Sequence, residues 1–206
     1  MKSYNLLFAV LLVLLGGCYP QGPEYTEEMD IVFTTYDEQY DFTSKSTYAM
    51  PDQIVVDVDI ENGDTSFVYM DAKYAIPILN EIDENMLAYG WSKVAINENP
   101  DLLMMPAGLS STTYFYGWWY DWWWGGWYPW WGWYYPPYYP VVGSYTTGTL
   151  MMVLADPNAA EDNPVKQTPI TWLSASNGIF NYSYDVTRVT DAIEKSFAQS
   201  PYLNID

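Results

Sequence analysis

Few residues of this chain have side chains suited to covalent or acid–base chemistry. The 206 residues include no histidine and a single cysteine, Cys18, beside 26 aspartates and glutamates. A Ser-His-Asp triad requires a histidine, and thiol proteases and ordinary zinc sites require histidine or free thiols. The composition excludes these sites and leaves carboxylates as the remaining catalytic groups.

Two carboxylates could in principle hydrolyse a glycosidic bond, one as the acid and the other as the nucleophile or base. Only Asp121 has a distinctive setting, because it stands alone among tryptophans, where burial would favour its neutral acid form. It has no partner nearby in the sequence, and no glycine-rich phosphate loop ends in a lysine. We therefore expect no catalytic activity and no cofactor; a carboxylate-based glycoside hydrolase is the less favoured alternative.

Alternating carboxylates at Asp57, Asp59 and Glu61 suggest a test for calcium binding. An EF-hand loop needs glycine at its sixth position and glutamate at its twelfth. Counted from Asp57, these positions are Asn62 and Val68, so the pattern fails. The carboxylates are expected on the solvent face of a strand, and no metal site is predicted.

The single cysteine follows a secretory leader. Lys2 precedes an uninterrupted apolar run, Leu6–Leu15, which ends in Gly16, Gly17 and Cys18. Ten apolar residues are too few to span a bilayer. The end of this stretch resembles the bacterial lipobox, in which a peptidase cuts before a diacylglycerol-bearing cysteine. Residues 1–17 are therefore predicted to be a lipoprotein signal peptide and Cys18 the lipid attachment site; the alternatives are an ordinary secreted protein with an incidental cysteine and a retained apolar anchor.

The residues after Cys18 predict a tether and a location. Residues 18–29 are rich in Pro, Gly and acidic side chains and lack an apolar period, which is typical of a linker. Tyr19 replaces the Asp that retains enterobacterial lipoproteins in the inner membrane. The formal net charge of −19 disfavours nucleic-acid partners. We expect an outer membrane lipoprotein that faces the periplasm or the cell surface.

Residues 30–206 are long enough for one domain with a substantial core. Alternating or β-branched apolar patterns predict strands, and the Asn62-Gly63 dipeptide predicts a tight hairpin between two of them. The run at 150–155 is apolar on both faces, as in a central strand. The predicted strands are 31–36, 53–60, 65–70, 91–96, 100–108, 146–156 and 169–176.

Two segments have helical periodicity. The first spans about 76–89, with Pro77 in its first turn and Gly90 as a left-handed stop. The second spans about 186–199 and ends before Pro201. This order predicts an α+β fold, a largely antiparallel sheet with both helices packed on one face and a long aromatic hairpin or loop inserted between two strands.

Five segments together resemble domain-of-unknown-function family 4136, a family of bacterial envelope lipoproteins of the Bacteroidota type. The resemblance covers nearly the whole mature chain and implies an α+β lipoprotein domain with a Tyr-, Trp- or Gly-rich insertion. It implies no catalytic residues. The segments are YDFTSKSTYAM (40–50), AYGW (88–91), NPDLL (99–103), TGTLMMVLAD (147–156) and SFAQSPYL (196–203).

The most unusual feature is the stretch 114–139, which places eighteen aromatic residues in twenty-six positions. It contains few aliphatic residues, and Trp and Tyr prefer the membrane interface to the hydrocarbon core, so it does not resemble a transmembrane segment. The Gly125-Gly126 pair suits a hairpin turn, which would extend strands 102–116 and 141–155 outward into an aromatic ribbon. Eighteen rings cannot all face inward on one small domain.

Three interpretations of this insertion remain: a disordered low-complexity loop, a surface that binds an envelope glycan or protein, and a surface that contacts the membrane interface. We favour binding, with the rest of the domain as a scaffold and the insertion as a projecting element that a short Asn-Gly turn could replace. The predicted binding residues are Trp118, Trp119, Trp122, Trp123, Trp124, Trp127, Trp130, Trp131 and Trp133.

Overall fold

The computed structural model describes residues 31–61, 64–109, 148–160, 170–180 and 185–206. Within these ranges the chain forms two α-helices and one eight-stranded sheet. This is an α+β fold, as the sequence predicts. The predicted signal peptide, the tether and the aromatic insertion lie outside the described residues.

The strands of the sheet are short and follow the apolar segments of the sequence. In chain order they are β1 (Ile31–Tyr36), β2 (Thr47–Ala49), β3 (Val55–Glu61), β4 (Asp64–Tyr69), β5 (Ser92–Lys93), β6 (Leu102–Leu109), β7 (Thr149–Ala155) and β8 (Ile170–Asn177). The spatial order is β1-β8-β7-β6-β2-β5, and β3 pairs with β4 and with the far end of β6.

The sheet is mostly antiparallel. β1 with β8, β3 with β4, β6 with β7, and β7 with β8 are antiparallel pairs. β2 runs parallel to β5 and β6, and β3 runs parallel to β6. Parallel strands need a crossover, and here the first helix lies in the chain between β4 and β6.

The first helix, α1 (Ala72–Ala88), begins four residues before the predicted start at 76. The Asp71 side chain accepts from the backbone N–H of Lys73 at 3.0 Å and so caps the helix. Pro77 therefore lies inside the helix rather than in its first turn, which corrects the sequence prediction. Gly90 has φ +88°, which confirms the predicted left-handed stop.

The second helix, α2 (Val186–Ala198), agrees with its prediction to within one residue. Its N-terminus is capped by the Asp185 side chain, which accepts from the Thr187 N–H at 3.0 Å. Val189, Ile193 and Phe197 are buried. Val186, predicted on the same face, is 37% exposed because it lies in the first turn, beyond the edge of the core.

The strand predicted at 91–96 is largely wrong. Only Ser92–Lys93 pairs with β2, and Ile96–Glu98 forms a 3₁₀ turn. Both β5 side chains are exposed, so no burial of apolar side chains stabilises a longer strand here. The hairpin prediction fits the pairing of Glu61 with Asp64 across two residues, and Asp57 is exposed as expected.

Side chains are buried on both sides of the central strands, which confirms a central position for β7. Even-numbered positions of β6, β7 and β8 point to the helices, and odd-numbered positions point away, because side chains alternate along a strand. The helix face contains Met104, Met152 and Trp172 together with the buried residues of α1 and α2. The far face consists of Ala49, Val55, Leu103, Met105, Ala107, Met151, Val153, Ala155, Leu173 and Ala175.

Candidate functional site

The aromatic insertion is attached to the two central strands at a single place. β6 ends and β7 begins with the pair Leu109–Thr149, so the two ends of the intervening chain lie side by side. Both strands are hydrogen-bonded to further strands of the sheet. The chain that contains the insertion therefore leaves and rejoins the sheet at strands that are paired on both sides.

Local contacts fix the geometry of this attachment. A Cβ atom on Gly108 would lie 3.0 Å from Val56 Cγ1, so a larger residue would crowd the neighbouring strand. Gly148 has φ +86°, a backbone conformation that favours glycine, and its carbonyl accepts from the Phe180 N–H at 3.0 Å. Thr149 Oγ1 donates to Asn177 Oδ1 at 3.0 Å. These contacts link the base of the insertion to β8 and to the turn after it.

None of the predicted functional residues falls in the described ranges. Cys18 and Asp121 lie outside them, as do the nine tryptophans of the insertion: Trp118, Trp119, Trp122, Trp123, Trp124, Trp127, Trp130, Trp131 and Trp133.

The two other tryptophans are structural. Trp91 is 1% exposed, and its Nε1 donates to the Leu203 carbonyl at 2.8 Å. Trp172 is fully buried, and its Nε1 donates to Ser200 Oγ at 2.8 Å. Each ring packs in the core on the helix face and donates a hydrogen bond to the segment after α2. The tryptophans of this protein thus separate into two core residues and nine residues in the insertion.

One buried carboxylate lies at the opposite end of the sheet. Asp156, directly after β7, is 2% exposed. Its Oδ2 accepts from Tyr40 Oη at 2.7 Å and pairs with Lys45 Nζ at 3.0 Å. Its Oδ1 accepts from the backbone N–H groups of Asn158 and Ala159, at 2.8 and 3.0 Å. A carboxylate has about four acceptor positions, so Asp156 retains none for a substrate proton.

The two tyrosines that bind carboxylates act as donors. Burial, and then the hydrogen bond to Asp156, raises the pKa of Tyr40 far above its ordinary range. Burial raises the pKa of Tyr48 in the same way, with its hydrogen bond to Asp83 as the second cause. Tyr48 Oη donates to Asp83 Oδ1 at 2.7 Å, and Lys93 binds Asp83 Oδ2 at 2.6 Å. Both phenols stay protonated. Tyr40 joins the segment before β2 to the end of β7, and Tyr48 joins β2 to α1.

A third carboxylate, Asp101, precedes β6 and joins it to β2. Asp101 Oδ2 accepts from the backbone N–H groups of Ser46 and Thr47, both at 3.0 Å, and from Thr47 Oγ1 at 2.8 Å. Partial burial acts to raise the pKa of Asp101, but these hydrogen bonds outweigh it and lower the pKa below its usual value. Sequence inspection missed Asp83, Asp101 and Asp156, although the position of the last two beside apolar strands was a usable signal.

The low pKa of Asp101 predicts a pH-dependent stability. Because the folded pKa lies below the unfolded value of about 4, the unfolded chain binds the proton more tightly. The contribution is fully present above pH ~4 and is lost as the pH falls through the folded pKa. We expect Asp101→Asn to lower the free energy of unfolding at pH 7 by about 1–3 kcal/mol, and to lessen the acid-induced loss below pH ~4. Urea unfolding at several pH values measures both effects.

The exposed Asp52 provides the matched control for Asp101. Asp52→Asn is expected to change the unfolding free energy by less than about 0.5 kcal/mol. Equal profiles for Asp101→Asn and the unsubstituted protein would contradict the role given to Asp101.

Two kinds of site are absent from the part of the chain that the structure describes. There, no group of three or more Asp, Glu, Cys or His side chains is placed to hold a metal ion. Among the same residues, neither helix has the length and apolarity required to cross a membrane.

The described domain is an α+β scaffold whose paired central strands hold a long aromatic insertion. The family model described as "Domain of unknown function (DUF4136)" matches residues 32–202, so the chain belongs to the DUF4136 family. This confirms the resemblance found in the sequence. No curated protein matches the chain.

A solved structure supports the same assignment. The crystal structure of a DUF4136 family protein from Bacteroides thetaiotaomicron is similar to this chain, with a TM-score of 0.64 and 31% sequence identity. The similarity covers 86% of this chain and 98% of the other. It therefore extends over nearly the whole of the solved relative.

Proposed function

We propose that this protein is a lipid-anchored component of the bacterial cell envelope that has no catalytic activity and uses its aromatic insertion to bind a partner. Cys18 attaches it to the outer membrane, where it faces the periplasm or the cell surface. The partner is an envelope glycan or protein, and the tryptophans of the insertion make the contact. The described domain is the scaffold that presents them.

The observation that carries this proposal is the attachment of the insertion. Both of its ends come from the central pair Leu109–Thr149, so the scaffold can present aromatic rings from a fixed base. The carboxylates Asp83, Asp101 and Asp156 support a non-catalytic role, because their oxygens bind groups that hold the fold together. An exposed aromatic cluster normally marks an interaction site, and stacking adds about 0.5–1.5 kcal/mol for each aromatic pair.

The alternative is a structural lipoprotein whose insertion contacts the membrane interface. Trp and Tyr favour the headgroup region, and a lipid at Cys18 would hold the insertion within reach of the membrane. Carboxylate-based glycoside hydrolysis is the less favoured alternative, for which Asp121→Asn is the first substitution to test.

The first test concerns the lipid anchor. Cells supplied with an alkyne fatty acid should label this protein, because acylation requires the Cys18 thiol. We expect Cys18→Ser to abolish the label and to release the protein from the membrane fraction, since the remaining apolar run is too short to span a bilayer. Tyr19→Ser, at the neighbouring position, should keep both the label and the membrane attachment. A label that persists in Cys18→Ser would exclude this site.

The second test separates the two surface functions by tryptophan fluorescence. Trp91 and Trp172 are buried, so they provide a constant background in the Cys18→Ser protein. A blue shift with phosphatidylcholine vesicles would indicate interfacial contact, whereas saturable quenching by an envelope polysaccharide would indicate sugar stacking. We expect saturable quenching.

A substitution then measures the contribution of one ring. If Trp123 contacts the glycan, Trp123→Ala should weaken binding roughly two- to twelvefold, the equivalent of about 0.5–1.5 kcal/mol. The control is Leu87→Ala, at an exposed position of α1 on the helix side of the sheet, which should leave the affinity unchanged. If neither vesicles nor polysaccharide alter the emission, glycan binding and interfacial contact both fail, and only a protein partner or a non-binding loop remains.

A further inference from the structure

The far face of the sheet is buried more completely than the described elements explain. None of its ten residues is more than 5% exposed, and Val153 and Ala175 are fully buried. β6, β7 and β8 are the strands that carry most of it. A sheet that has one face in water leaves the side chains of that face accessible, so such low exposure requires a layer of chain over them.

The described helices do not form this layer. All buried residues of α1 and α2 that pack against the sheet belong to the helix face. Within the described ranges, the partly buried apolar side chains packed against the far face are Phe67, Ile96 and Ile170. These lie on β4, on the turn after β5 and at the start of β8, so they account for its margins rather than its centre.

The segments between the described ranges differ in their capacity to cover an apolar surface. Residues 62–63 and 181–184 are too short. Residues 161–169 contain Glu, Asp and Lys and only one large apolar residue, Val165. The stretch 18–29 is acidic and rich in Pro and Gly. Once the predicted signal peptide, residues 1–17, is set aside, only 110–147 combines length with a large apolar area.

The position of segment 110–147 also fits. It leaves β6 after Leu109 and rejoins the chain directly before β7, and these two strands supply six of the ten far-face residues. The far-face residues of β6 run from Leu103 to Ala107, about 13 Å at ~3.3 Å per residue. The 38 residues of the segment can span ~120 Å when extended, which is ample for crossing this face and returning.

The composition of the segment allows burial. Asp121 is its only charged residue, so most of its length can be buried without an unpaired charge. Each aromatic side chain buries about 150–250 Å². A minority of the nineteen aromatic rings in segment 110–147 is therefore enough for the far face, and the others remain available to a partner.

We propose that part of segment 110–147 packs across the far face and forms the third layer of the domain, over Met105, Val153 and Ala175. The insertion then has two roles, because some of its rings belong to the core and others bind the partner. Its exchange for a short Asn-Gly turn, expected from the sequence to leave the fold intact, would instead expose the far face.

Thiol labelling in single-cysteine proteins tests this inference. Cys18 is the only native cysteine, so Cys18→Ser provides a background without thiols. Ala175→Cys places a small probe on the far face, and Ala192→Cys places a matched probe under α2 on the helix face; the native side chains are 0% and 2% exposed. In the full-length protein both thiols should react slowly with a maleimide.

Exchange of residues 114–139 for Asn-Gly should accelerate labelling at Ala175→Cys by at least about tenfold, since the probe then needs no opening of the fold to react. Labelling at Ala192→Cys should not change. Slow labelling of both probes in the shortened protein would overturn the proposal, and so would fast labelling of Ala175→Cys at full length.

If both probes become reactive, the shortened protein has unfolded. Disulfide formation in the full-length protein then tests whether segment 110–147 lies over the far face. Second cysteines are introduced singly at Tyr116, Trp119, Trp127 and Trp131. Mild oxidation should join at least one of them to Ala175→Cys within one chain, and none to Ala192→Cys. Failure of every pair at Ala175→Cys would exclude the proposed layer, and disulfides between chains would assign the far face to a second copy. Neither result depends on the ligand of the insertion.

Discussion

Trp172→Ala is expected to lower the free energy of unfolding by about 3–5 kcal/mol, the usual cost of removing a buried tryptophan. The side chain is fully buried on β8, and its ring lies 5.8 Å, centroid to centroid, from that of Phe197 on α2. The substitution leaves a cavity between a sheet and a helix, neither of which can collapse into it easily. A typical domain has only about 5–15 kcal/mol of stability, so we expect a marginally folded protein.

Urea unfolding followed by far-ultraviolet circular dichroism measures this loss without relying on tryptophan emission. Trp172→Phe is the informative control, because it retains most of the ring volume and removes the bond from Nε1 to Ser200 Oγ. Ser200 Oγ still accepts from Tyr202 Oη at 3.1 Å, so we expect a loss of only about 1–2 kcal/mol. Leu87→Ala, at a position 58% exposed on α1, should change stability by less than about 0.5 kcal/mol. Similar losses for Trp172→Ala and Leu87→Ala would show that Trp172 is not a core residue.

Asp156→Ala is expected to be nearly as severe, with a loss of about 3 kcal/mol, because it removes the common acceptor of a buried network. Tyr40 Oη and the Asn158 and Ala159 N–H groups lose their acceptor. Lys45, whose side chain is 22% exposed, can turn partly to water, which places the loss at the lower end of the range for broken buried ion pairs. The same urea experiment measures it.

Asp156→Asn separates charge from hydrogen bonding at this position. The amide oxygen can still accept hydrogen bonds, but it cannot form an ion pair with Lys45, so we expect about half of the loss caused by alanine. In a double-mutant cycle, Asp156→Asn combined with Lys45→Met should show a coupling energy, because the pair is only 3.0 Å apart. Strictly additive losses would show that the ion pair contributes nothing.

Several elements follow from local sequence patterns and were predicted closely. The alternation in Ile31–Tyr36 predicted β1 to the residue, and the period of 3.6 residues predicted α2 to within one residue. The Asn62-Gly63 dipeptide correctly predicted the pairing of β3 with β4. These patterns succeed because they depend on interactions between residues close in the chain, and because one face of each element must be apolar.

Other features depend on partners that are distant in the sequence. The short strand Thr47–Ala49 was not predicted. Its extended conformation depends on pairing with β5 and β6 and on the hydrogen bond from Thr47 to Asp101, 54 positions away. The early start of α1 depends on how the chain leaves β4 and orients the Asp71 cap. Asp156 directly follows an apolar strand, but nothing in the local sequence identifies its partners Tyr40 and Lys45, the first of which lies 116 positions away.

For the candidate site too, some features follow from the sequence and others only from the tertiary structure. The sequence by itself determined the family, the fold class, the absence of histidine-dependent chemistry, and the position of an aromatic insertion between two strands, since each follows from residue types and their order. Only the tertiary structure decided that both ends of this insertion leave paired central strands, and that the odd-numbered side chains of those strands form a second buried face. An apolar run indicates that a strand is buried on both sides, but it does not indicate which distant segment covers each side.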